Sequence, residues 1–129
     1  LRLFCARMME EQGHPERTGG AKITPAFNLP SRHVIHTVGP VVSGAPSAED
    51  ARLLASCYAS CLDLAAKNGV ETLAFCCIST GVFAFPQQEA AEIAVRTVSV
   101  RLKEYPAVRK VVFNVFRNSD LEIYRRLLG

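Results

Sequence analysis

Apolar positions along this chain alternate between helical spacing and short unbroken runs. Leu1, Phe4, Cys5, Met8 and Met9 follow i, i+3, i+4, i+7 and i+8, one face of a helix, with Gly13 as its stop. That stripe is already in phase at the first residue, with no capping residue before it, and so predicts that the parent protein continues upstream. His14 to Gly20 reads as loop, with His14 at the surface. Ala21 to Phe27 is a short candidate strand, interrupted by Pro25 and so expected at a sheet edge. Asn28-Leu29-Pro30-Ser31 turns the chain, and the β-branched run from His33 to Val38, closed by Gly39-Pro40, predicts another strand.

From Ser47 onward the alternation is regular. Ser47, with Asp50 three residues on, predicts a capped helix. Leu54, Cys57, Tyr58, Cys61 and Ala65 give that helix its apolar face, and Gly69 ends it. Thr72 to Ile78 is a continuous apolar run, as expected of a strand covered on both faces. Pro86 suits the first turn of the next helix, because its missing N–H would be unpaired there anyway. Ala90, Ile93, Ala94, Val98 and Leu102 form that helix's buried stripe. Val108 to Phe116 predicts a further buried strand, and Ser119-Asp120-Leu121-Glu122 a capping box opening a last helix through Ile123, Leu127 and Leu128. Helix, strand, helix, strand, helix implies an α/β fold with parallel strands and right-handed crossovers. At 129 residues, without internal repeats, the chain reads as one domain.

Composition narrows the function classes. No window approaches the roughly 18 uninterrupted apolar residues of a membrane span. A net charge of +3 suits a small anionic ligand but is too weak to argue for duplex nucleic acid. Five cysteines, an odd count set in apolar segments, point to reduced thiols and a cytoplasmic setting. Cys57 and Cys61 share a helix face and could supply half of a zinc site. No second ligand pair lies near them in sequence, so packing is the favoured reading. Cys76 and Cys77 point to opposite faces of a strand and are likewise assigned to the core. His33 and His36 also face opposite ways, which rules out joint metal binding in regular geometry and leaves His36 as a hydrogen-bonded structural residue.

The chemistry concentrates where the run Phe75-Cys76-Cys77-Ile78 collapses into Ser79-Thr80-Gly81-Val82-Phe83 and Pro86 opens a helix. A buried strand, a tight loop and a helix N-terminus bring unpaired N–H groups and the positive end of a dipole together, a ready site for phosphate. Gly81 would allow unusual torsions and a close ligand approach, and the Ser79 and Thr80 hydroxyls would add donors. The Gly-x-Ser-x-Gly elbow is missing, so Ser79 is not expected to be a nucleophile. Phe83 is assigned to the ligand side and Phe85 to the core; Phe113 is assigned to the core and Arg117 to the solvated surface.

Three strings taken together resemble the macrodomain family: Asn28-Leu29-Pro30 followed by His36-Thr37-Val38-Gly39-Pro40, Ile78 through Pro86, and Val112-Phe113-Asn114-Val115-Phe116. The doubled Cys before Ile-Ser-Thr-Gly, and Thr18-Gly19 shortly before Ile23-Thr24, are most similar to its zinc-dependent branch of protein-ADP-ribose hydrolases. The resemblance implies a three-layer α/β/α mixed sheet with ADP-ribose across the strand ends. Residues 1–129 would be the later part of a single macrodomain that lacks its first strands. By the same resemblance Ser79, Thr80, Gly81, Val82 and Phe83 are the loop whose amides hold the diphosphate, with Phe83 beside the distal ribose and Phe116 by the adenine. Ala84 stands where many relatives have Gly.

Equally informative is what has no counterpart here: the acidic adenine reader, the Asn and Gly-rich first loop, and the Cys/His zinc ligands. The resemblance places all of these before Leu1, so no catalytic or metal-binding residue is expected in this chain. The intact protein is expected to be a zinc-dependent hydrolase acting on mono-ADP-ribosylated protein. Its alternative is a non-catalytic ADP-ribose reader. Losing neighbouring strands would also leave a sheet edge open to self-association.

Overall fold

The apolar periodicities become four helices and four strands in the computed structural model, which describes residues 2–13, 17–81 and 83–129 and side chains from residue 5 onward. Leu1, His14 and Val82, and the side chain of Phe4, therefore lie outside the described residues. In chain order the elements are α1 (Arg2–Gln12), β1 (Ala21–Pro25), β2 (His33–Thr37), α2 (Ala48–Lys67), β3 (Thr72–Phe75), α3 (Gln87–Glu104), β4 (Lys110–Phe113) and α4 (Asn118–Leu128).

β1 and β2 pair antiparallel, with Lys22 opposite His36 and Ile23 opposite Ile35. β3 and β4 pair parallel, with Thr72 opposite Lys110 and Phe75 opposite Phe113. Both orientations of a mixed sheet are thus present, divided between two two-stranded sheets. Strand alternation then sorts the side chains of the antiparallel pair. Ala21 and Ile35 pack on the main core, while Lys22 and His36 face Cys5, Met8 and Met9 of α1 across a cleft of about 140 Å³.

α2 is the central pillar. Its start is closed reciprocally: the Asp50 amide donates to Ser47 Oγ at 3.1 Å and the Ser47 amide to Asp50 Oδ2 at 2.9 Å. This is the capping box that the sequence predicts. Leu54, Cys57, Tyr58, Cys61, Leu62 and Ala65 are buried along it, and each large apolar side chain so buried contributes about 1.5–3 kcal/mol. α3, which buries Ala90, Ala91, Ile93, Ala94 and Val98, packs on α2 and also on α4. Tyr58, Phe75, Phe113 and Tyr124 form a ladder of rings across α2, β3, β4 and α4, with successive centroids 4.9, 6.2 and 4.9 Å apart.

Several sequence expectations are corrected. β3 ends at Phe75 and β4 at Phe113, so the runs Thr72 to Ile78 and Val108 to Phe116 are longer than their strands. Neither strand is covered on both faces, since Thr72, Ala74, Lys110 and Val112 are exposed. Cys76, assigned to the core, is exposed just past the strand end, and Cys77 is half-buried. α4 starts one residue before the expected Ser119 cap, with Arg117 at its N-cap and no side-chain cap bond. Ser119 lies inside the first turn, where its Oγ accepts a hydrogen bond from Gln87 Nε2 at 3.1 Å. Pro86 stands at the N-cap of α3, one residue earlier than expected.

Candidate functional site

The segment from Phe75 to Pro86 is pinned at both ends and open between them. Ile78 is 8% exposed and Phe85 2%, whereas Gly81, Phe83 and Ala84 are exposed. Phe85 is therefore core, as the sequence predicts, and Phe83 stands at the surface.

Hydrogen bonding in the loop is one-sided. Ser79 O accepts from the Phe85 amide at 2.8 Å, Gly81 O from the Ala84 amide at 3.0 Å, and Phe83 O from the Val42 amide at 2.9 Å. Thr80 O accepts from Arg117 Nη2 at 3.1 Å. Every one of these carbonyls is taken. In contrast, the amides of Ser79, Gly81 and Phe83 donate to no acceptor among the described residues, while that of Thr80 closes the Ile78–Ser79 turn toward Cys77 O. The described loop residues hold no cis peptide, so each N–H points opposite to the carbonyl of its own peptide plane. Fixing the Thr80 carbonyl toward Arg117 therefore turns the Gly81 N–H the other way. Open backbone donors followed closely by the N-terminus of α3 are an arrangement chemically suited to an anion.

Backbone torsions correct one expectation. The left-handed residues are Ser79 (φ 65°) and Ala84 (φ 62°), not Gly81. That conformation costs a non-glycine residue roughly 1–2 kcal/mol, and such strain clusters at functional sites. A Cβ at Gly81 would meet no protein atom within 4 Å, so glycine there leaves open space. The hydroxyls also differ from expectation. Thr80 Oγ1 donates to Cys77 O at 3.2 Å, so its proton is committed to the protein. Ser79 Oγ is buried without a hydrogen-bond partner among the described residues.

The structure adds two residues whose roles sequence reasoning missed. A Cβ at Gly39 would lie 2.0 Å from Ser79 Oγ and 2.8 Å from Ile78 Cγ2, so the strained Ser79 needs a glycine beneath it. The His-Thr-Val-Gly-Pro string was the available signal. Arg117 is the other, and no local pattern marked it: it reaches Thr80 O from the start of α4 and pairs with Asp120 at 3.4 Å. Phe116, next to it in sequence, is 99% exposed. Ser79, Thr80, Gly81 and Phe83 thus share one loop, Phe116 adjoins the residue that touches it, and Val82 lies outside the described residues.

The remaining titratable candidates are structural. His36 Nε2 lies 3.0 Å from Thr24 Oγ1 and 3.7 Å from Cys5 Sγ, and His33 is exposed on the other face. Desolvation pushes the Cys61 thiol up to about 12 and the Cys77 thiol up to about 11, and it also raises Cys57. These thiols stay protonated near neutrality and are poorly suited to attack a substrate. Among the described residues no three His, Cys, Asp or Glu side chains are placed to hold a metal ion.

The chain is 58% identical over its whole length to the "Protein-ADP-ribose hydrolase" of Treponema medium, covering 49% of that protein. It thus spans about half the length of this relative. Among solved structures it is similar to the Oceanobacillus iheyensis macrodomain with ADP, at 39% identity and a TM-score of 0.88 over 96% of this chain and 65% of that one. It also resembles the Trypanosoma brucei macrodomain in complex with ADP-ribose, at 36% identity and a TM-score of 0.79 over 88% of this chain and 47% of that one. The Macro domain family model matches residues 1–94, from α1 into α3 and through the whole loop, and the chain belongs to that family.

Proposed function

We propose that this chain binds ADP-ribose, with Ser79 to Phe83 cradling its diphosphate, and that the whole protein removes ADP-ribose from modified proteins. The observation that carries this reading is the one-sided loop: the carbonyls of Ser79, Thr80, Gly81 and Phe83 are all engaged by the protein, and the amides of Ser79, Gly81 and Phe83 meet no acceptor among the described residues. A diphosphate offers several anionic acceptors to such donors, and the α3 dipole favours its charge. Relatives named protein-ADP-ribose hydrolase, and neighbours solved with ADP-ribose, support the choice among phosphate ligands. In this reading Phe83 packs beside the distal ribose and the exposed ring of Phe116 offers a stacking surface for adenine.

The described residues do not fit zinc. A zinc ion is thus proposed only for the whole protein, on ligands outside this chain, and no step is derived through it. What these residues do is bind and orient. They hold the diphosphate in one place, so that the distal ribose is presented to groups elsewhere in the whole protein. The five unpaired thiols support a cytoplasmic setting, and the strand edges left without a partner among the described residues support self-association.

Calorimetry of ADP-ribose with the full protein tests the reading. Gly81→Val is expected to weaken binding by more than about tenfold, equivalent to about 1.4 kcal/mol. The melting temperature should hold, because a Cβ there meets no protein atom within 4 Å. Unchanged affinity would overturn the cradle. Turnover of a mono-ADP-ribosylated protein separates the hydrolase from a reader that shares the cradle but leaves the modification in place.

A further inference from the structure

We infer that Arg117, braced by Asp120, is a positioning residue that sets the Thr80–Gly81 peptide plane and so aims the Gly81 amide at the diphosphate; this rests on the cradle reading above. One guanidinium does two jobs at once. Its Nη2 donates to Thr80 O at 3.1 Å, and its Nε lies 3.4 Å from Asp120 Oδ2. The planar fork of Arg suits this division, since separate nitrogens can hold separate acceptors in a fixed relation. Asp120 is buried to 3% exposure in the first turn of α4, where a carboxylate is favoured by the helix dipole, while Arg117 stays half-exposed.

The base of this brace is itself fixed. Gln87, in the first turn of α3, donates to Ser119 in the first turn of α4. The helix that follows the loop and the helix that carries Arg117 are thereby tied at their N-termini. The carbonyl that Arg117 holds belongs to the same planar unit as the Gly81 N–H, and the two point in opposite directions. Releasing Thr80 O would remove the hydrogen bond that orients that plane. The carbonyls of Ser79, Gly81 and Phe83 have backbone donors to keep them, and Thr80 O relies on this side chain.

A direct role for Arg117, as a cation attracted to phosphate, predicts the opposite response to one substitution. Asp120→Asn removes a negative charge near the loop. If Arg117 acted by charge alone, binding would stay the same or tighten. If Arg117 positions the loop, loosening its brace weakens binding. The test is ADP-ribose calorimetry on the full protein with Arg117→Ala, Arg117→Lys and Asp120→Asn, alongside the ¹H–¹⁵N resonance of Gly81 without ligand. Arg117→Ala is expected to weaken binding about tenfold, the scale of one hydrogen bond to a charged group, with Asp120→Asn weaker than wild type and Lys restoring only part. The Gly81 resonance should shift in all three, while amide exchange in α2 stays protected. Undiminished affinity in Asp120→Asn, full rescue by Lys, or a stationary Gly81 resonance would each overturn the positioning role. If Gly81→Val abolishes binding while Asp120→Asn does not weaken it, the brace alone fails. If Gly81→Val leaves affinity intact, the cradle fails first.

Discussion

The hairpin junction with α2 and the loop before α3 both bring backbone polar groups to the edge of the core, and they treat them in opposite ways. At the junction, Gly19 O accepts hydroxyl donors from both Ser56 and Ser60 at 2.9 Å, the Gly19 amide donates to Val38 O at 2.9 Å, and Cys57 Sγ donates to Val38 O at 3.2 Å. Side chains one helical turn apart on α2 converge on a single carbonyl. At the loop, the carbonyls of residues 79, 80, 81 and 83 are satisfied, but the amides of 79, 81 and 83 find no acceptor among the described residues, and Ser79 Oγ is buried without one. Two non-glycine residues also hold left-handed torsions there. Solvent can reach the exposed Gly81 and Phe83, so the buried exception at the loop is Ser79 Oγ, and the loop's open amides are the donors that the proposed cradle would use.

Substitutions can break or sharpen that contrast. The largest effect is expected from Gly39→Val, which drives a branched side chain against Ser79 and Ile78. Overpacking of this kind should cost about 3 kcal/mol of stability in denaturant titration and abolish ADP-ribose binding. A protein of normal stability would remove Gly39 from the support of the loop. Next comes the double variant Ser56→Ala/Ser60→Ala, which strips Gly19 O of both hydroxyl donors. A loss of about 1–2 kcal/mol is expected, with ADP-ribose affinity unchanged in the folded protein. A matching loss of affinity would mean that the two regions are coupled.

Alkaline pH probes the same contrast through Cys61. Its folded value, about 12, lies above its ordinary 9.0 because burial penalises the thiolate. The associated stability is therefore complete below pH 9 and declines as pH rises toward 12. Cys61→Ala should flatten that decline in pH-dependent melting curves, and an unaltered decline would assign it to other groups. The smallest change is expected from Ala84→Gly. Relief of its left-handed torsion should raise stability by about 0.5–1 kcal/mol with little effect on binding, as read by chemical denaturation. A destabilised variant would show that Ala84 is not strained.

How much of this was legible in the sequence depends on how local each determinant is. α2 and α3 were readable because apolar spacing and, for α2, the Ser47–Asp50 pair lie within a few residues of each other. The lengths of β3 and β4 were not. A continuous apolar run such as Thr72 to Ile78 looks the same whether every residue is in the strand or the last few leave it, and one-sided coverage is a property of the neighbours. Ser119 illustrates the same limit, because Gln87, 32 residues away, claims its hydroxyl. At the loop, the turn between β3 and α3 and the burial of Phe85 were legible. The torsional strain fell on Ser79 and Ala84 instead of Gly81. Gly39 and Arg117 matter only because folding sets them against residues about 40 positions away.

The ladder of rings has a practical corollary. With no tryptophan and three tyrosines, near-ultraviolet emission from this chain comes from tyrosine alone. Two of those emitters, Tyr58 and Tyr124, stand at the ends of the ladder, and the third, Tyr105, donates to Asp63 at 2.6 Å on the surface. Intrinsic fluorescence therefore serves as a label-free gauge of whether the paired helices and the parallel strands remain joined.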